Sequence, residues 1–188
     1  MITVVIPCRE TENPYVTLRS LAQQTLQPST IVVVYDEDKG ANWARNRGFG
    51  MVQTPYVLFS DNDIDWQPDA LENLYRTLQM RPQASYAYGW YLCGGLCHSN
   101  VVFDADRLRA NNYISTMSLI CSADFPSFDE SLQRLQDWDL WLTMLGQGKV
   151  GAHCSKHIFT TKRRPGITHG DGMSWEAARA IVARKHGL

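Results

Sequence analysis

Ile31-Val32-Val33-Val34-Tyr35-Asp36-Glu37-Asp38 is a continuous apolar run that ends abruptly in acidic residues. Its β-branched content reads as a strand covered on both faces, the kind that belongs to parallel sheets. Upstream, Thr3-Val4-Val5-Ile6-Pro7 is a second β-branched run. Between the two, Asn13-Pro14 places a capping side chain and a proline where a helix should begin. Leu18, Leu21 and Ala22 give that helix its apolar stripe, and Pro28 follows its end. Downstream, the pattern predicts a helix over 41–48, a strand at Tyr56-Val57-Leu58-Phe59, a helix from Pro68 through Met80, and a strand over 84–92. Strands alternating with helices make βαβ units. The expected fold is therefore α/β, a mostly parallel central sheet flanked by helices, with ligands beyond the carboxyl ends of the strands.

The second half is less regular. A strand is expected over 113–120, an amphipathic helix over 137–145 ended by Gly146, and a last helix over 174–186 with Gly187 as its stop. Between these helices lies Lys162-Arg163-Arg164-Pro165-Gly166-Ile167-Thr168-His169-Gly170-Asp171-Gly172, which has no periodicity. It reads either as a plain surface connection or as a mobile lid over an anionic ligand.

The 188 residues suit one domain, and 44% hydrophobic with 20% charged residues excludes a disordered or fibrous chain. A net charge of -1 gives no argument for nucleic-acid or membrane binding. No apolar run approaches the ~18 residues needed to span a bilayer. Residues 1–7 read as a strand rather than a signal peptide, so the expected location is cytoplasmic. The five cysteines are an odd set without the spacing of a disulfide framework. Cys93-x-x-x-Cys97-His98 and His153-Cys154-x-x-His157 offer soft zinc ligands, but they fit no common zinc spacing, and reduced Cys in apolar stretches packs as a small hydrophobe.

Three acidic features fall at element ends. Asp36-Glu37-Asp38 follows the second strand and Ser60-Asp61-Asn62-Asp63 the third. Two carboxylates one residue apart suit a hard divalent cation, Mn²⁺ or Mg²⁺, which takes oxygen ligands from carboxylates and substrate phosphates. The same residues equally make an Asx turn. In Gln136-Asp137-Trp138-Asp139-Leu140-Trp141, Asp137 lies near a helix start, where N–H groups and the helix dipole favour its ionised form. It reads as a helix cap or as a general base facing a pocket. Trp90 and Trp138 are either apolar platforms for a ligand or core, and Trp141 is core.

Taken in order, these stretches resemble the family 2 glycosyltransferases. The first strand, Val33-Val34-Tyr35-Asp36, Ala44-Arg45-Asn46-Arg47-Gly48 and Phe59-Ser60-Asp61-Asn62-Asp63 look like the nucleotide-binding half. Phe125-Pro126-Ser127-Phe128-Asp129-Glu130 and the Asp137 motif look like the acceptor half. The resemblance implies a single domain of the GT-A type over 1–188, with a nucleotide-binding half at 1–92 and an acceptor half at 93–188 that includes a flexible segment, 162–172. It implies transfer of a sugar from a nucleotide diphosphate sugar, with UDP favoured, to an acceptor hydroxyl, with inversion and with Mn²⁺ or Mg²⁺.

Carried over by position, Asp61-Asn62-Asp63 matches the family's DxD motif, Asp63 being the direct metal ligand and Asp61 lying near the ribose or a metal-bound water. Pro7 and Asp36 line the base pocket, Arg45 lies against the nucleotide, and Arg9 belongs to the same donor site. Asp137 matches the catalytic aspartate, and His169 is a candidate further metal ligand unless Arg164 neutralises the diphosphate instead. Trp90 and Trp138 are expected on the acceptor side. Two departures stand out: Tyr35 replaces the first of two aspartates common after the second strand, and Gln136 replaces a common glutamate before Asp137. The rival readings are a nucleotidyltransferase, which wants a glycine-rich loop that Pro7-Cys8-Arg9-Glu10-Thr11-Glu12 lacks, and a catalytically silent sugar- or nucleotide-binding module.

Overall fold

The first strand, β1 (Ile2–Cys8), is buried along its whole length and organises the domain around it. In the computed structural model, which describes residues 1–162 and 173–188, it lies between β2 (Thr30–Tyr35) and β3 (Tyr56–Phe59) and is parallel to both. Two crossover helices make these parallel connections, α1 (Tyr15–Leu21) and α2 (Ala41–Phe49). Packing of α2 on the sheet is close: a Cβ added to Gly48 would lie 2.4 Å from the Val5 side chain. Only glycine fits there without shifting the Val5 side chain.

Past β3 the pattern changes. The remaining elements are β4 (Asp65–Trp66), α3 (Ala70–Met80), β5 (Ala84–Cys93), β6 (Leu96–His98), α4 (Ala105–Ala110), β7 (Leu119–Cys121), α5 (Gln136–Gly146), β8 (Val150–Thr161) and α6 (Trp175–His186). The strand order is β2-β1-β3-β7-β5-β8-β4, with β6 paired to β5. β7 runs antiparallel between β3 and β5, and β4 runs antiparallel to β8, whereas β5 and β8 are parallel. The α/β domain with flanking helices is thus as expected, but the sheet is mixed rather than mostly parallel.

Several expectations need correction. β2 is the edge strand, so Ile31 and Tyr35 are exposed and the run is not covered on both faces. The strand expected over 113–120 is confined to Leu119–Cys121, because residues 113–118 instead turn through side-chain bonds such as Ser118 Oγ to the Ser115 carbonyl (2.7 Å). β8, the long partner of β5, lies where no strand is expected, although Val150, Ala152 and Cys154 alternate with Gly151, His153 and Ser155 at its start.

One apolar cluster joins β1, α1, α3 and β8 through Val4, Leu21, Leu71 and Phe159. A second, on the opposite side of the sheet, joins Val5, Phe59, Tyr86, Trp138, Trp141 and Val182. Alternate residues of β1 serve the two, as the period of a strand requires. Cys154 is buried in the first cluster, and no group of three or more His, Cys, Asp or Glu able to hold a metal occurs among the described residues.

Candidate active site

The ends of β1, β2 and β3 form one rim, because the three strands are parallel. On it, Pro7 is buried opposite Val34, and Arg9 is exposed just beyond. Asp36 is buried where β2 ends: its backbone N–H donates to the Cys8 carbonyl (3.0 Å), and its Oδ1 accepts from Asp38 N–H (3.2 Å). Glu37, Asp38 and Gly40 all have positive φ (48°, 59° and 91°), so a tight left-handed turn fixes this carboxylate. Tyr35 is 48% exposed on the rim beside it.

The turn after β3 is held from beneath. Thr17 Oγ1 of α1 donates to the carbonyls of Asp61 (2.9 Å) and Ile64 (3.1 Å) as alternatives, and accepts from Ile64 N–H (2.9 Å). Ser60 Oγ accepts from Trp66 Nε1 (2.9 Å). Asn62 is buried, and its Nδ2 donates to Glu12 Oε2 (2.6 Å), tying the turn to the loop after β1. Asn62, expected as the middle residue of the metal- and diphosphate-holding triplet, thus braces that turn. Asp61 and Asp63, on either side, are half-buried, and Asp61 keeps 42% of its side chain exposed.

Arg45 is not at the surface. Only 5% exposed, it donates from one terminal nitrogen to Asp61 Oδ1 (2.8 Å) and from the other to Asn42 Oδ1 (3.0 Å). Its guanidinium lies 5.3 Å from the Phe128 ring centroid. Asn42, Arg45 and Asn46 fall at i, i+3 and i+4, on one face of α2. Asn42 Nδ2 donates to the carbonyls of Asp129 (2.8 Å) and Leu132 (3.0 Å). Asn46 accepts from Phe128 N–H (2.9 Å) and donates to the Phe128 carbonyl (2.9 Å). One helix face thus anchors both the acidic turn after β3 and the segment that leads into α5.

Asp137 is in the first turn of α5, not at its cap, which is Leu135 in the left-handed region. Its Oδ1 accepts from Trp138 N–H (2.9 Å), and it hydrogen-bonds the Asn112 side chain. Burial pushes its carboxyl above the usual range, against the opposing pull of nearby backbone N–H groups, the Arg45 charge and Asn112. The direction is the reverse of that expected from a helix start alone, since desolvation outweighs the helix N–H groups. The carboxylate lines a cavity of about 370 Å³ with Tyr91, Asn100, Arg107, Asn112 and Tyr113 among its neighbours. Burial, with the Asp137 charge as a smaller contribution, pushes Tyr91 up to about 12, so its phenol stays protonated at neutral pH.

Neither tryptophan lines this cavity. Trp138 is 2% exposed and donates from Nε1 to the Leu108 carbonyl (2.7 Å), so it is core and not a sugar platform. Trp90 stacks on His157 with centroids 4.5 Å apart. The aromatic that β5 brings to the cavity is Tyr91. Tyr91, Arg107, Asn112 and Tyr113 carried no sequence signal, because irregular chain and one short helix supply most of them. Arg164 and His169 lie outside the described residues, as does most of segment 162–172.

The model of the glycosyl transferase family 2 matches residues 9–101, which hold the rim and the acidic turn. Three solved structures of S. aureus TarS share the fold. Residues 1–349 in complex with UDP-GlcNAc superpose with a TM-score of 0.78 at 15% identity, covering 98% of this chain and 66% of that one. The same fragment in complex with UDP gives a TM-score of 0.72 at 13% identity, over 98% and 64%. A further crystal structure of S. aureus TarS gives 0.71 at 12% identity, over 98% of this chain and 39% of that one. The chain thus spans two thirds or less of the length of these neighbours. No curated protein sequence matches it.

Proposed function

We propose that this chain, whose residues 9–101 match the glycosyl transferase family 2 model, transfers a sugar from a nucleotide diphosphate sugar to an acceptor hydroxyl, with inversion and with Mn²⁺ or Mg²⁺. The observation that carries the reading is the shared anchorage of two acidic sites: Arg45 grips Asp61 while its neighbours on α2 hold the segment before Asp137. Two sites fixed to one helix face suit a donor and an acceptor that must meet in register. The UDP-GlcNAc and UDP in the TarS complexes favour a UDP-sugar as donor.

In this reading Pro7, Arg9 and Asp36 line the nucleotide pocket, with Tyr35 beside them. Asp61 and Asp63 would hold the divalent cation: two half-exposed carboxylates on a braced turn match a hard ion that also keeps waters and phosphate oxygens. Asn62 and Arg45 position that turn. When bound, the cation would stabilise the charge of the leaving nucleoside diphosphate as a Lewis acid. Arg164 or His169 would add a further contact there. Asp137 takes the proton of the acceptor hydroxyl, which is otherwise a poor nucleophile at neutral pH. Its carboxyl, raised by burial, is a stronger base than an ordinary aspartate while the hydroxyl attacks the face opposite the leaving group. Asn112 orients it.

The test is UDP release from UDP-GlcNAc with Mn²⁺, with Asp137→Asn beside the wild type. Loss of a positioned base lowers turnover by roughly 10²–10⁴-fold. The donor dissociation constant should hardly move. A near-normal rate in the variant would remove Asp137 from the chemistry.

A further inference from the structure

We propose that the cavity beside Asp137 selects an acceptor that carries an anionic group, phosphate or carboxylate, and that Arg107 binds that group. The inference rests on the reading of Asp137 as the base that faces the acceptor. Arg107 lines the same cavity as Asp137. Its guanidinium lies 5.6 Å from the Tyr113 ring centroid, and the ring itself is fixed. Tyr113 Oη lies 2.8 Å from Asp104 N and 3.0 Å from Asp104 O, accepting from the first and donating to the second. Asp104 in turn caps α4 by accepting from Arg107 N–H (2.9 Å). The cation is thereby held over an aromatic face by the start of its own helix.

The local acids do not neutralise it. Asp104 is committed to the cap, and Asp106 pairs with Arg109 (2.7 Å). Among the described residues no carboxylate forms an ion pair with Arg107, and Asp137 is the one acidic residue on the cavity wall. An oriented guanidinium offers a planar fork of donors that matches phosphate and carboxylate oxygens. A neutral sugar would leave that fork to water. The anion belongs to the acceptor, because among the described residues none of those assigned to the donor's nucleotide and diphosphate lines this cavity.

The test is saturation-transfer NMR on the whole chain with UDP and Mn²⁺ present, using a panel of hexoses and hexitols against their 6-phosphates. Phosphorylated members should bind roughly 10- to 100-fold tighter than their neutral counterparts, and R107Q should erase that difference. R107K should retain part of it. Equal binding of the two sets by the wild type, or an undiminished preference in R107Q, would overturn the proposal. UDP-GlcNAc affinity is measured in parallel. If R107Q weakens it as much as it weakens the phosphates, Arg107 serves the donor and the proposal fails. If the wild type does not bind UDP-GlcNAc at all, the transferase reading fails by itself, while the panel still reports what Arg107 binds.

Discussion

Asp137 and Asp63 can be separated by what their loss should do. Asp63→Ala should abolish the Mn²⁺-dependent part of nucleotide binding in calorimetry and leave the fold intact; unchanged metal-dependent affinity would contradict its role. For Asp137 the pH dependence has a defined sign. The base must be ionised, and burial holds its carboxyl above the usual range. The acid limb of the rate profile should therefore lie at higher pH than for an ordinary aspartate. The same shift makes ionisation costly to the folded state. As pH rises above the ordinary carboxylate range, wild type should lose stability relative to Asp137→Asn, and the variant should melt at an equal or higher temperature at pH 7. A marked loss of stability would make Asp137 structural. At this scale the sequence was informative where a motif fixed the residue: Asp61, Asp63 and Asp137 all stand at element ends. It could not show the partners of Trp138 and Asn62, whose polar atoms are satisfied by protein groups far away in sequence.

The α2 helix shows what an element adds. Its amino-acid pattern predicts a helix and nothing more, yet Asn42, Arg45 and Asn46 reach residues over 80 positions away as well as the nearby acidic turn. Asn46→Ala would strip Phe128 N–H of its partner and should cost about 1–3 kcal/mol in chemical denaturation. Turnover should fall more than donor affinity, because the segment before Asp137 loosens while the rim does not. Wild-type stability would show that this bridge carries no weight. At the other end of that segment, Lys185 of α6 binds Asp129 (2.7 Å) and Asp139 (3.0 Å). Hydrogen bonds from Lys185 and then Ser131 hold Asp129 down to about 2, against an ordinary value of 3.8. A depressed carboxyl contributes stability that is complete above about pH 4 and is lost as pH falls toward about 2. Asp129→Asn should therefore be modestly destabilised near pH 6, since solvent screens this partly exposed pair, and should converge on wild type near pH 2.

Across the whole molecule, the first half was legible because local signals and tertiary structure agree there: β-branched runs, capping residues and prolines punctuate βαβ units. The second half was less so, because β7 draws its order from its neighbours and the alternation that opens β8 stops at Ser155. β7 is three residues long, and β8 pairs with β5 across several irregularities in register. The edge position of β2 was equally hidden, since an apolar run states that a strand exists and not where it lies in the sheet. Among the described residues no helix is long and apolar enough to cross a membrane. What unites the molecule is the placement of a braced acidic turn and a half-buried carboxylate on either side of one helix face. The most direct measurement of that account is calorimetry of the wild-type chain with UDP-GlcNAc, in Mn²⁺ and again in EDTA. Binding of the intact nucleotide sugar that depends on the metal is predicted; no binding in either condition, or binding indifferent to EDTA, would contradict it.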